Sequence, residues 1–155
     1  MFDFEKLDVY QVVKEQHNKV FTFLKANPQI DTMLLNNWKE ASLNIVLNLS
    51  QGTGRKNPIE KKEFLTLSRG FVFEAATILQ IVKDLGLIDE ENYQDIYDGY
   101  EKSSKMLLGM FRSYNRRDND RGEYNKEYNK DYNNDFVEKD YSSSQNFSES
   151  DFNNL

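Results

Sequence analysis

The chain has 155 residues, no cysteine, one histidine and a formal net charge of −6. The lack of cysteine excludes a disulfide framework and thiolate chemistry. An acidic balance argues against broad coating of nucleic acid. No run approaches the ~18 consecutive apolar residues of a membrane span.

Composition divides the chain. Up to Ser113 it is rich in Leu, Ile, Val, Phe and Met; from Tyr114 onward the only aliphatic residues are Val137 and Leu155. Residues 1–113 carry 14 Lys/Arg against 16 Asp/Glu, and residues 114–155 carry 6 against 10. The first part can bury a core and the second cannot offset its ordering entropy. The expectation is therefore one domain over 1–113 and a disordered acidic tail rich in Asn, Tyr, Asp and Ser over 114–155. The start, Met1-Phe2-Asp3-Phe4-Glu5-Lys6, lacks the apolar length of a signal peptide. We expect a cytoplasmic protein with no membrane partner.

Four helices are predicted in chain order. The first spans Asp8 to Ala26, with Val9, Val12, Val13, Val20, Phe23 and Leu24 at helical spacing. Asn27-Pro28 ends it. Asp31 caps the second, whose stripe is Leu34, Leu35, Trp38, Ala41, Ile45 and Leu49, and Gly52 and Gly54 stop it. Asn57 caps the third, with Pro58 at its first position and Glu60 set for a capping box. Its expected face is Phe64, Leu67, Phe71, Ile78, Val82 and Leu85, closed by Gly86. Asp89 opens the fourth, with Tyr93, Ile96, Tyr97, Tyr100, Leu107 and Phe111. Connections of about five residues make neighbouring helices antiparallel. The fold class is all-α, an up-down-up-down antiparallel four-helix bundle.

Helices two and three are more apolar than one stripe requires. Leu43, Val46, Leu65, Phe73 and Ile81 lie off the expected faces, and extra apolar faces on adjacent helices point to a subunit interface. In the tail, Glu123-Tyr124-Asn125-Lys126 recurs in degenerate form to Asn134. Its Asn content opposes a stable helix. Its spaced aromatics suit weak stacking.

Signals for chemistry are thin. Gly52-Thr53-Gly54-Arg55-Lys56 lacks the spacing, the hydroxyl residue and the preceding strand of a phosphate loop. His17 lies between Lys14 and Lys19 and reads as solvated. No Glu-x-x-His pair occurs, so a di-iron bundle is not expected. Neither a metal nor a cofactor is expected, nor an enzyme. Arg55, Lys56, Lys61 and Lys62 cluster at the turn between helices two and three, diluted by Glu60 and Glu63. They are the candidate nucleic-acid contacts, for which the acidic tail would compete with phosphate.

Several motifs resemble one family. Leu7-Asp8-Val9-Tyr10-Gln11, the run from Ala41 through Asn48 to Gly52, Gly54-Arg55, Phe64-Leu65, Arg69-Gly70 and Glu74 are similar to the four-helix-bundle proteins encoded in intervening sequences of bacterial large-subunit (23S) ribosomal RNA genes. The resemblance covers about residues 4 to 113. It implies a left-handed bundle that assembles as a ring-like homopentamer. It also implies kinship with the accessory protein of diversity-generating retroelements, which binds a reverse transcriptase and nucleic acid. Gln51, Phe71 and Val46 depart from the family's usual residues. Two functions follow as expectations: an oligomeric scaffold on RNA or DNA, or a protein-interaction module with a groove between subunits for a partner helix.

Overall fold

The computed structural model describes residues 1–120, with side chains to residue 115. The tyrosine tetrads and the part of the expected tail over 121–155 lie outside the described residues. A 3-10 turn at Asp3–Lys6 precedes four helices: α1 (Asp8–Ala26), α2 (Thr32–Thr53), α3 (Pro58–Asp84) and α4 (Glu90–Asp120). The described residues contain no strand.

The expected caps hold the helix ends. The Asp31 carboxylate accepts from the Met33 and Leu34 amides at 2.8 and 3.4 Å. Asn57 accepts from the Ile59 amide at 2.9 Å ahead of Pro58. Glu60 turns instead toward Arg55, with Nε to Oε2 at 3.9 Å. Asp89 accepts from the Asn92 amide at 2.9 Å. Gly86 closes α3 in the left-handed region, φ 68. There the Leu87 amide donates to the Val82 carbonyl and the Gly86 amide to the Lys83 carbonyl, the paired bonds of a Schellman motif.

Each helix packs on its sequence neighbours, and α4 closes the ring on α1. Contacts fix the direction. Ser68 meets Ile45, Lys61 meets Tyr114, Lys83 meets Glu90, and Lys19 meets Asp95. Residue numbers rise on one partner as they fall on the other, so all neighbours are antiparallel.

Heptad-like stripes face the core. They are Val9, Val13, Gln16, Val20 and Leu24 on α1; Trp38, Ser42, Ile45, Leu49 and Gly52 on α2; and Ile96, Tyr100, Ser103, Leu107 and Phe111 on α4. On α3 the buried residues are Leu65, Ser68, Val72, Ala75, Ile78, Leu79 and Val82, of which Ile78 and Val82 belong to the expected face. The rest of that face differs. Leu67 and Leu85 are exposed, and Phe64 and Phe71 are half-buried. Small residues at Ser68 and Ala75 take core positions because α2 and α3 share the most extensive packing of any helix pair.

Two glycines act through close approach. A Cβ added at Gly52 would lie 2.7 Å from the Phe64 Cβ on α3. Gly52 therefore sits within α2 as a packing residue rather than as a helix stop. A Cβ at Gly99 would lie 1.9 Å from the Gln16 amide oxygen. That slot admits the buried Gln16 amide, whose Nε2 donates to the Ile96 carbonyl at 2.8 Å. The fourth helix also runs past the expected boundary at Ser113 to Asp120, so the helical body includes the first seven residues assigned to the tail.

Replacing a helix-interior glycine by alanine ordinarily stabilises by about 1 kcal/mol. Here Gly52→Ala and Gly99→Ala are expected to destabilise by about 1–3 kcal/mol through overpacking. Gly109→Ala, where an added Cβ meets nothing within 4 Å, keeps the ordinary gain. Denaturant midpoints of the three variants decide the matter. A higher midpoint for Gly52→Ala would refute the close α2–α3 approach.

Candidate nucleic-acid interface

The turn between α2 and α3 lies at the bundle end where α4 finishes. Arg55 is exposed, with its guanidinium 4.7 Å from the Phe64 ring centroid. Lys61 is half-buried and places its ammonium 5.5 Å from the Tyr114 ring of α4. Lys56 is exposed and Lys62 half-buried. Arg112 of α4 is exposed at the same end, a residue that sequence proximity did not add to the cluster. Aromatic faces orient Arg55 and Lys61 by cation–π attraction, worth ~0.5–1 kcal/mol at exposed sites. Glu60 and Glu63 dilute the cluster, and the Arg55–Glu60 pair is too exposed to contribute much.

The opposite end has the other sign. Asp84, Asp89, Glu90, Glu91, Asp95 and Asp98 gather around the α3–α4 turn, against Lys19, Lys25 and Lys83. Lys19 pairs with Asp95 at 2.7 Å and Lys83 with Glu90 at 3.1 Å. Hydrogen bonds from the Asn92 backbone and side chain hold the Asp89 carboxyl below its usual range. The 3-10 turn and the start of α1 bring Asp3, Glu5 and Asp8, with Lys6, to the end that carries the cationic cluster, so that cluster is local to the α2–α3 turn, while the α3–α4 end carries an excess of carboxylates.

The motif residues divide by role. Asn48 donates to the Asn44 carbonyl of its own helix at 2.8 Å. Gly54 ends α2 with φ −76, so its backbone needs no left-handed conformation. Arg69 reaches α4, with Nε donating to the Ser104 hydroxyl at 3.1 Å and the guanidinium stacked 4.6 Å from the Phe73 ring. Glu74 is exposed. Gly70 is exposed too, and an added Cβ there would meet nothing within 4 Å. Gly70 therefore does not serve the close approach of another helix of the bundle.

The expected interface set is corrected in two places. Val46 and Leu65 are buried, because both fill the α2–α3 seam. Leu43, Phe73 and Ile81 are exposed at 44%, 51% and 41%, joined by Leu47 at 42% and Leu67 at 52%. Leu43 and Leu47 lie on the outer side of α2. Leu67, Glu74 and Ile81 follow seven-residue spacing on the outer side of α3, with Gly70 between the first two. Two apolar sides explain why α3 has the length and composition of a membrane span, with mean hydropathy 1.3 over 18 residues. In this fold it packs between α2 and α4.

His17 is not simply solvated. It is half-buried, with Nδ1 3.2 Å from the Ser42 hydroxyl and its ring tilted on Phe21. Ser42 also bonds Tyr100, whose hydroxyl accepts from the Trp38 indole at 2.7 Å. Burial pushes the Tyr100 phenol up, so it stays neutral and structural. Desolvation lowers the His17 pKa, partly offset by its hydrogen bonding to Ser42. Among the described residues no group of three or more His, Cys, Asp or Glu has the geometry to hold a metal ion.

These features define a small antiparallel helical bundle with a cationic turn at one end and an open apolar strip along one side. A profile for the 23S rRNA-intervening sequence protein family matches residues 5–109, and the chain belongs to that family. Among solved structures it is similar to a protein with unknown function from the S23 ribosomal protein family of Bacteroides thetaiotaomicron. The TM-score is 0.64 at 15% identity, covering 66% of this chain and 97% of that one. At that identity the likeness is one of fold. No curated protein matches the chain.

The His17 environment sets a pH dependence. The unfolded chain binds the proton at the ordinary pKa of about 6.5, and the folded chain binds it less readily. Stability from this group is complete above about pH 6.5 and falls as pH drops toward the depressed folded value. The melting temperature is expected to decline between about pH 7.5 and 5.5, and His17→Gln is expected to flatten that decline. An equal slope in the variant would assign the effect elsewhere.

Proposed function

We propose that the protein is a non-enzymatic scaffold. It assembles as a homo-oligomer and associates with RNA or DNA through the end that carries Arg55, Lys56, Lys61, Lys62 and Arg112. The local cluster carries this reading: Arg55 and Lys56 of the turn, Lys61 and Lys62 of α3 and Arg112 of α4 come to one end of the bundle. A ring of copies repeats the cationic turn, and phosphate affinity grows with the number of contacts. No element suited to a groove supports base readout, so the reading is one of backbone recognition. The family's place in 23S ribosomal RNA genes favours structured RNA. The resemblance also admits a reverse transcriptase complex as partner.

The open strip on α2 and α3 supports assembly. Leu43, Leu47, Leu67 and Ile81 are too exposed for a bundle that works alone. The strip also favours a second reading, a protein-interaction module with no nucleic-acid role.

Light scattering on the full chain is expected to give an oligomer, a pentamer by family resemblance. Leu43→Glu and Ile81→Glu should yield folded smaller species, whereas a charge at the buried Leu65 should unfold the chain. Gly70→Ala should reduce assembly although helix propensity favours it. A wild-type monomer at tens of micromolar, roughly where −6 to −8 kcal/mol associations show, would refute assembly.

Binding to structured RNA and duplex DNA is expected to be weak and steeply salt-dependent. Lys61→Glu with Lys62→Glu should weaken it across sequences and reduce the salt slope by about 2. No binding to either polymer at ~50 mM salt, where phosphate contacts are strong, would leave the interaction module as the function.

A further inference from the structure

The acidic end holds a feature that neither the cationic turn nor the apolar strip explains. A cavity of about 530 Å³ lies between the second half of α1 and the start of α4. A second, of about 480 Å³, adjoins it under the α3–α4 turn. Phe23, Asn27 and Asn92 line both, so the two form one trough. Each volume falls within the ~300–1,000 Å³ of ordinary ligand sites. The trough runs along the surface instead of closing over, a shape suited to a chain more than to a compact molecule.

Its floor is apolar, from Phe23, Ile96, Leu87 and Ile88. Its walls carry amides. Asn27 is fixed by donating to the Phe23 carbonyl at 2.8 Å, and the Asn92 amide by donating to Asp89 at 2.5 Å. The exposed side chains of Asn18 and Thr22 also line the trough. Amide and hydroxyl groups above an apolar floor match an extended peptide, whose backbone alternates donors and acceptors and whose side chains alternate sides. Asp89 and Asp95 stand on the rim, where Lys19 pairs with Asp95 at 2.7 Å, so the rim keeps one carboxylate in excess within the carboxylate-rich end. Anionic ligands are repelled there, and a cationic partner is drawn in.

We propose that this trough docks a short extended segment of another protein, in which arginine or lysine alternates with apolar residues. The proposal does not depend on nucleic-acid binding, which concerns the opposite end.

A built-in reporter tests it. Trp38 is the only tryptophan, fully buried, with its ring 6.0 Å from the Phe23 ring that floors the trough. The full chain is titrated with an end-blocked hexapeptide of alternating arginine and valine. Trp38 fluorescence and calorimetry follow the titration in parallel. Saturable binding is expected, with no binding of the glutamate–valine counterpart. Asp89→Asn with Asp95→Asn keeps the α4 cap, since Asn serves as well as Asp there, and should weaken binding about tenfold. Thr22→Phe fills the trough without changing charge and should weaken it as much. Absence of binding at millimolar peptide overturns the proposal. So does equal binding of the glutamate peptide, or binding lost in the charge variant but intact in Thr22→Phe, which would place the contact elsewhere on the acidic end.

Discussion

A hydrogen bond across the core, from the Trp38 indole to the Tyr100 hydroxyl, joins α2 to α4, two helices that do not pack side by side. Both side chains are essentially fully buried. The indole only donates, so the phenol accepts from it, and Ser42, which also bonds the phenol, reaches His17. Losing one partner would strand a buried polar group, at ~1–3 kcal/mol, more than the ~0.5–1.5 kcal/mol net value of a typical bond. The chain of bonds therefore fixes how α1, α2 and α4 are rotated toward one another. The apolar stripes alone tolerate several rotations.

A second constraint governs α2 and α3. Ala41, Gly52, Ser68 and Ala75 give these helices short side chains where they meet. The Ser68 hydroxyl donates to the Ile45 carbonyl at 2.7 Å, a bond open only to helices in close contact. Close packing inward leaves the larger apolar residues outside. Leu43, Leu47, Leu67 and Ile81 are exposed because the core is already filled by smaller neighbours. Core packing and the open strip are two sides of one choice of residues.

The sequence revealed the helices and their ends because Asp31, Asn57-Pro58, Gly86 and Asp89 are local signals whose physics needs no tertiary partner. The rotation of α3 was not legible. Phe64, Leu67 and Phe71 outrank Ser68 and Ala75 in hydrophobicity, so the apparent stripe lies to one side of the true one. His17 reads as solvated, and Gln16 gives no signal, because their partners, Ser42 and Ile96, lie 25 and 80 positions away. The four cations at the α2–α3 turn were legible as a sequence cluster, but Arg112 joins them only through the antiparallel return of α4. The trough left no sequence signal at all, since its walls come from α1, α4 and two turns.

An even number of antiparallel helices returns the polypeptide to its starting side. The first residues of α1 and the last of α4 thus share an end with the α2–α3 turn, and only two short turns close the other. Any further domain or tag joined through either terminus of the helical body must emerge beside the cationic turn. The acidic end carries neither point of attachment. A crowded pole and a vacant one are thus built into the chain by parity.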